Sequence, residues 1–291
     1  MIHFENTTLT PDVEARLRKR QLQILLEFDR ICKAHRLPYV LFAGTLLGAI
    51  RHQGFIPWDD DVDVAMLRQD YERFLTICQR ELSSEFFLQT TYTDPEYFNA
   101  FARLRSEGTI YLQSQYRYFD MHHGIFIDIF PFDNAFPKSP IGLIHRLLLR
   151  SVRVLSRSLS YSSKEKFISE HPDKKKRVFY RCFKALSFAL KKYPLDNLYQ
   201  KVLKIFNGIE TDYVTHLTWT ITKWNYYSYM IGKDQFRKSI DIKFEKKDFP
   251  APVNYHEWLT SIYGDYMMPP PEHLRKPHHG LIKVEIHKAP P

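Results

Sequence analysis

The stretch DVDVAM (61–66) alternates polar and apolar side chains with the two-residue period of a β-strand. It constrains the fold more than any other segment. Residues two apart on a strand share a face, so Asp61 and Asp63 point one way while Val62 and Val64 point into a core. Two carboxylates held that close raise each other's pKa and cost stability. A divalent cation removes the conflict and favours both ionised forms. An all-oxygen ligand set suits Mg²⁺ or Mn²⁺ better than zinc. The acidic run is longer than this pair, because Trp58 is followed by Asp59, Asp60 and Asp61. Asp60 has the opposite parity to Asp61, so straight strand geometry cannot bring both into one metal site. At least one of Asp59 and Asp60 is expected to bond backbone or an arginine and so fix the loop around the ligands. The plain alternative is a solvated acidic loop entering a strand.

Two further segments point to the metal. Asp128 interrupts GIFIDIFPFD (124–133), the clearest strand pattern in the chain. A carboxylate there is costly unless it is paired or ligated. If its strand neighbours the Asp61–Asp63 strand, three carboxylates converge, which is how phosphoryl-transfer enzymes hold one or two Mg²⁺ ions. Taken alone, Asp128 reads equally as a helix cap or the partner of a buried arginine. Gly44 and Thr45 follow the apolar run LPYVLFA (37–43) and open the helical GTLLGAIRH (44–52). Free N–H groups at a helix start bind phosphate, and a glycine lets the phosphate approach. A simple N-cap explains that dipeptide as well. The order carries more than its parts: strand, Gly-Thr, helix, loop, Asp-x-Asp on the next strand, then a lone later Asp. It is the pattern of the nucleotidyltransferase (polymerase-β-like) fold.

The rest of the chain fits around this core. Residues 11–35 and 67–82 show helical apolar spacing, and 86–92, 98–106 and 108–112 read as strands. From Ser139 to Phe206 the pattern is helical and basic, with HPDKKKR (171–177) as a turn. WTITKWNYYSYMIG (219–232) and IDIKFEKKDFPAP (240–252) read as strand-like. NYHEWLTSIYG (254–264) reads as a helix with Asn254 and Glu257 spaced as a capping box and Gly264 as its stop. The expected class is α+β, a mixed sheet flanked by helices with a helical insertion. Its expected divisions are a core over 1–138, a basic insertion over 139–210, and closing strands and a helix over 211–291.

The 291 residues carry a formal net charge of +9, so the surface attracts anions: phosphorylated metabolites, nucleic acid or an acidic membrane face. No recognised RNA-binding motif accompanies that charge, and nucleic acid is not expected. Cys32, Cys78 and Cys182 are far apart and form no CxxC pattern, which points to a reducing compartment. MIHFENTTLT has no apolar h-region and no apolar run is long enough to cross a bilayer, so a cytoplasmic location is expected. Arg146, Arg150, Arg153 and Arg157 recur at spacings of three and four beside Leu147, Leu148 and Leu149. Such a helix either lies on an anionic membrane face or packs its leucines into the core.

LFAGTLLGAIRHQGFIPWDDDVDVAM (41–66) resembles the signature of the LicD family, which includes phosphocholine transferases of bacterial surface glycans and is similar to fukutin-related transferases. GIFIDIFPFD resembles that family's second block and FEKKDFPAPVNYHEWLTSIYGDYMMPPPEHLRKPHH (244–279) its C-terminal block. The resemblance implies transfer of a phospho-alcohol, typically phosphocholine, from a CDP-linked donor to a sugar hydroxyl, with CMP leaving. The alcohol stays open between choline, ribitol, glycerol and ethanolamine, and the glycan acceptor is either free or lipid-linked. In this reading Asp61, Asp63 and Asp128 bind Mg²⁺, and Asp128 is the general base. Gly44, Thr45 and Arg51 meet phosphate. Arg103 and Arg105, two apart on FARLRS, supply positive charge. Tyr263, Arg275 and His278 close over donor or acceptor, Asp265, Tyr266 and His279 share that standing, and His122 and His123 take no role. Trp58 reads as a packing wedge before a base-stacking platform. The competing readings are a nucleotidyltransferase that modifies a sugar phosphate, a protein or RNA, and a non-catalytic scaffold. The presence of all three acids and of Gly44–Thr45 argues against the scaffold.

Overall fold

The computed structural model describes residues 9–137, 139–190, 195–218, 223–277 and 280–286. The chain begins with α1 (Pro11–Ala34), capped by Thr10, whose hydroxyl accepts from the Val13 N–H. Leu17, Ile24, Leu25, Phe28 and Ile31 form its buried stripe. Next come β1 (Val40–Leu41), α2 (Ala43–His52), β2 (Asp63–Leu67) and α3 (Arg68–Glu81). β3 (Phe86–Gln89), β4 (Ala102–Ser106), β5 (Thr109–Gln113) and β6 (Phe126–Ala135) follow. α4 (Pro140–Ser162), α5 (Glu165–Glu170), α6 (Lys174–Leu190) and α7 (Leu195–Leu203) make the helical insertion. The chain closes with β7 (Tyr213–His216), α8 (Lys223–Ser228), β8 (Ile231–Gly232), α9 (Lys233–Arg237), β9 (Ser239–Phe244), β10 (Lys247–Pro252), α10 (Tyr255–Tyr263) and β11 (Leu281–Ile286).

Among the described residues, seven strands form one mixed sheet in the order β1-β2-β6-β4-β3, with β7 also pairing β6 and then β8. β6 organises it. All ten of its residues are buried, as a strand covered on both faces requires. One edge pairs in parallel with β2. On the other edge β4 covers its first half and β7 its second, both antiparallel. α1 and α3 pack on each other and against β6. Phe130 and Phe132, at the parity of Asp128, pack with Phe42, His216 and Trp258. An aromatic layer therefore underlies the strand that carries the buried acid. The insertion packs Leu149, Val152, Tyr199, Val202 and Leu203 against Ala135 and Leu217 at the far end of β6. The α+β class and the mixed, helix-flanked sheet are those expected from the sequence.

Local expectations change at several places, among them residues 174–177 of the expected turn, which open α6. Residues 223–228 of the strand-like aromatic stretch are helix α8, while 219–222 lie outside the described residues. Aromatic β-propensity yields there to packing, which buries Tyr226 completely and aims its hydroxyl at the Phe136 N–H. Asn254 makes no side-chain cap bond at α10, so the capping box is not formed, although Gly264 does end the helix at φ 71°. Three of the four arginines of α4, Arg146, Arg153 and Arg157, turn partly inward instead of lining an outer stripe. Arg157 donates to Asn99 Oδ1 and lies 4.3 Å over the Phe98 ring. The Arg153 Nη1 is buried. The aliphatic residues Ile144, Leu147, Leu148 and Val154 are instead exposed.

Candidate active site

Strand register builds the centre of the site. Asp63 on β2 pairs with Asp128 on β6, and Asp128 pairs with Arg103 on β4. Directly opposed residues on neighbouring strands project to the same face, so these three side chains stand in one row. Arg103 closes its end as a fork: Nε donates to Asp128 Oδ1 at 2.6 Å and Nη2 to Oδ2 at 3.1 Å. Its remaining nitrogen, Nη1, donates to Gln113 Oε1 at 2.9 Å, and the Phe126 ring lies 3.9 Å from the guanidinium. Both charges of this pair are at 0% exposure. Desolvated pairs of this kind persist only with such complete hydrogen bonding.

Asp61 lies just before β2 and joins the row from the loop. Carboxylate oxygens of Asp61, Asp63 and Asp128 lie within 4.8 Å of one another, and those of Asp59, Asp60 and Asp61 form an overlapping second group. Asp63 is 8% exposed, and its Oδ1 is buried with no hydrogen-bond partner. Burial, then repulsion from Asp61, Asp128 and Asp59, holds the Asp63 pKa well above the usual carboxylate range, with Arg103 opposing. A solitary buried acceptor amid like charges is a site that a cation completes. The donors are all oxygen, and they fit Mg²⁺ or Mn²⁺.

The residues around the row take definite positions. Thr45 is buried, and its hydroxyl accepts from the Asp63 N–H at 2.7 Å. It therefore fixes the start of β2, a role the phosphate reading did not include. A Cβ on Gly44 would stand 2.3 Å from Asp59 Oδ2, so the glycine makes room for that carboxylate beside the start of α2. A negative group is favourable at that end of a helix. Asp60 accepts from the Tyr111 hydroxyl at 2.6 Å, and its carbonyl accepts from Gln21 Nε2 at 2.8 Å. Arg51 donates to the Tyr266 carbonyl at 2.7 Å and ties α2 to the C-terminal segment. Trp58 is flanked by Arg51 at 5.9 Å and Arg275 at 5.3 Å. Tyr263 is 42% exposed, yet its hydroxyl is crowded by protein and lies in the field of Tyr229, Asp63, Asp59 and Asp61, which raises its pKa well above the usual phenol.

Some expected residues stand elsewhere. Arg105 is 1% exposed and donates to Gln89 Oε1 and the Gly124 carbonyl, so it faces protein and not a bound substrate. Burial and the neighbouring Arg103 push it down to about 9. Arg103 likewise offers its charge to Asp128 instead of an incoming anion. Asp128 has both oxygens engaged by that arginine, which leaves it suited to holding charge and ill placed as a general base. His122 stacks on Phe87 and His123 contacts the Phe119 carbonyl, away from the acids. His278 and His279 lie outside the described residues. Sequence reasoning missed Gln21 of α1 and Tyr111 of β5, which hold Asp60, and Gln113 of β5, which accepts from Arg103. Only the shared strand parity of Tyr111 and Gln113 hints at inward-facing polar groups, and nothing local marks Gln21.

The chain is also similar to known proteins. Residues 36–140 match the family described as LicD/FKTN/FKRP, nucleotidyltransferase domain. The chain is 34% identical over 268 residues to the lipopolysaccharide cholinephosphotransferase LicD of Haemophilus influenzae, covering 90% of this chain and 96% of that one. An uncharacterized protein of Rickettsia typhi is 38% identical over 55 residues, and one of Rickettsia prowazekii is 40% identical over 48 residues. These cover 19% and 16% of this chain and 18% of each relative.

Proposed function

The chain belongs to the LicD family, and on that premise we propose that it transfers phosphocholine from CDP-choline to a sugar hydroxyl of a cell-surface glycan, releasing CMP. It is a phosphotransferase. The acceptor class is lipopolysaccharide, teichoic acid or capsule polysaccharide, of which the H. influenzae relative's name supports the first. The observation that carries the reading is the row Asp63–Asp128–Arg103 with Asp61 alongside, because it concentrates oxygen ligands where a pyrophosphate donor needs a cation.

Asp61, Asp63 and Asp128 would hold Mg²⁺ or Mn²⁺. Bound there, the ion would neutralise the donor pyrophosphate and lower the pKa of the acceptor hydroxyl. The protein groups do the rest. Arg103 holds Asp128 in place through its two parallel hydrogen bonds. Thr45 pins the Asp63 backbone, and Tyr111 with Gln21 pins Asp60. Asp61, half-buried, is the acid of the three most open to an incoming hydroxyl, and we assign it the proton. Arg51 and Arg275, 5.9 and 5.3 Å from the Trp58 ring, offer positive charge to the donor, with Tyr263 near the acids.

We divide the chain into a catalytic core over 1–138, a basic insertion over 139–210 and a completing segment over 211–291. No described helix is long and apolar enough to cross a membrane. We infer a cytoplasmic enzyme that meets the inner membrane face through the exposed aliphatic side of α4. Incubation with Mg²⁺, CDP-choline and candidate glycans tests the function. CMP release that requires an acceptor, with choline phosphate appearing on the glycan, is expected. Pyrophosphate release from a free nucleoside triphosphate, without CMP from CDP-choline, would replace this reading with nucleotidyl transfer.

A further inference from the structure

A second polar cleft lies beyond the carboxylate row. It measures about 360 Å³ and is lined by Arg153 and Arg157 of α4, by Asn99, Tyr116 and Tyr161, and by Tyr180 of α6. That volume is within the range of small-ligand sites, roughly 300–1,000 Å³. Among the described residues that line it there is no carboxylate. The two arginines are close enough to act on each other: burial, and then the charge of Arg157, pushes Arg153 down to about 10. The Arg153 Nη1 is buried with no acceptor. Two guanidinium groups gathered with no carboxylate among the described lining residues, beside the phenols of Tyr116, Tyr161 and Tyr180, match the oxygens of a phosphate.

The cleft is joined to the reacting centre by consecutive contacts. Arg157 donates to Asn99 Oδ1 at 2.6 Å, and Asn99 Nδ2 donates to the Tyr116 hydroxyl at 2.7 Å. The Tyr116 ring lies 5.4 Å from the Arg103 guanidinium that holds Asp128. The donor's own phosphates belong with the cation at the carboxylates. An anion in this cleft is therefore a different one.

We propose that the cleft between α4, α6 and the β5–β6 connection binds a phosphate monoester carried by the acceptor glycan, and so selects phosphorylated acceptors. This rests on the transferase reading above only for the identity of the ligand. The phosphate site itself is tested without donor or metal.

The test is calorimetric titration of the full chain with inorganic phosphate, in EDTA and at constant ionic strength. Wild type is expected to bind, and Arg153→Gln and Arg157→Gln are each expected to bind at least about tenfold more weakly. Two variants are used because either one alone can fail to fold. Undiminished binding in both folded variants overturns the site. A second arm titrates a hexosamine phosphate and the same hexosamine without phosphate. Binding of the phosphorylated sugar alone supports the acceptor assignment. Exclusion of the sugar phosphate while inorganic phosphate binds overturns it. Loss of CMP release from CDP-choline in wild type would fail the transferase reading and leave these titrations readable.

Discussion

Asp63 and Asp60 lie three residues apart in one acidic run and meet different surroundings. Asp63 keeps a buried oxygen without a partner, while Asp60 is held by Tyr111 and Gln21. Asp60→Asn is accordingly expected to lower CMP release by about 10- to 100-fold, the usual cost of disturbing a group that orients ligands. Asp63→Asn should cost more than that, and equal losses in the two variants would erase the distinction. Arg103→Gln strands the Asp128 charge in the core. Urea unfolding should show about 3–5 kcal/mol less stability. A loss below about 1 kcal/mol would mean that the fork does not carry the pair. The two-residue spacing of Asp61 and Asp63 made the pair legible in the sequence, although Asp61 stands in the loop before β2 and not on the strand. The partner of Asp128 was not, because the spacing of Arg103 and Arg105 shows that they share a face but not that β4 lies beside β6.

Among the elements, β6 ties the site to the rest of the molecule, and its end shows what packing added. Arg68, the first residue of α3, forks onto Asp133 at 2.8 and 2.7 Å, both groups buried, and Asn207 adds a third bond to the same acid. Nothing local marks that pair in the sequence. Strand β7 brings His216 against Phe130 and Phe42, fully enclosed. Burial, and then the charge of Arg153, lowers its pKa to about 3, against roughly 6.5 in an unfolded chain. A depressed histidine gives stability above its unfolded pKa and loses it as pH falls toward the folded value. Between about pH 6 and about pH 4, His216 should therefore contribute a fall of up to ~1.4 kcal/mol per pH unit. Urea unfolding at several pH values should show that slope in wild type and a shallower one in His216→Phe. Parallel slopes would contradict the assignment. The helix at Lys223–Ser228 was hidden for a related reason, since tertiary packing decided the conformation of an aromatic run.

At the scale of the whole molecule, charge is divided by segment. Residues 139–210 hold sixteen Lys and Arg against five Asp and Glu, a net +11 in a chain of net +9. The acids that would bind cation lie in the rest. This separation was readable from composition, whereas the inward turn of Arg153 and Arg157 needed the packing of α4 on Asn99 and Phe98. The exposed Ile144, Leu147 and Leu148 beside that charge predict sedimentation with vesicles rich in anionic lipid and weaker binding in high salt. Ile144→Glu combined with Leu147→Glu should release the protein. Undiminished sedimentation of that variant would show that another surface makes the contact.

Asp61, Asp63 and Asp128 are placed to form one cation site. Titration of Mn²⁺ followed by electron paramagnetic resonance measures that directly. Wild type should take up Mn²⁺ and release it to excess Mg²⁺, and folded Asp63→Asn should bind at least about tenfold more weakly. Equal Mn²⁺ affinity in wild type and Asp63→Asn would contradict the site.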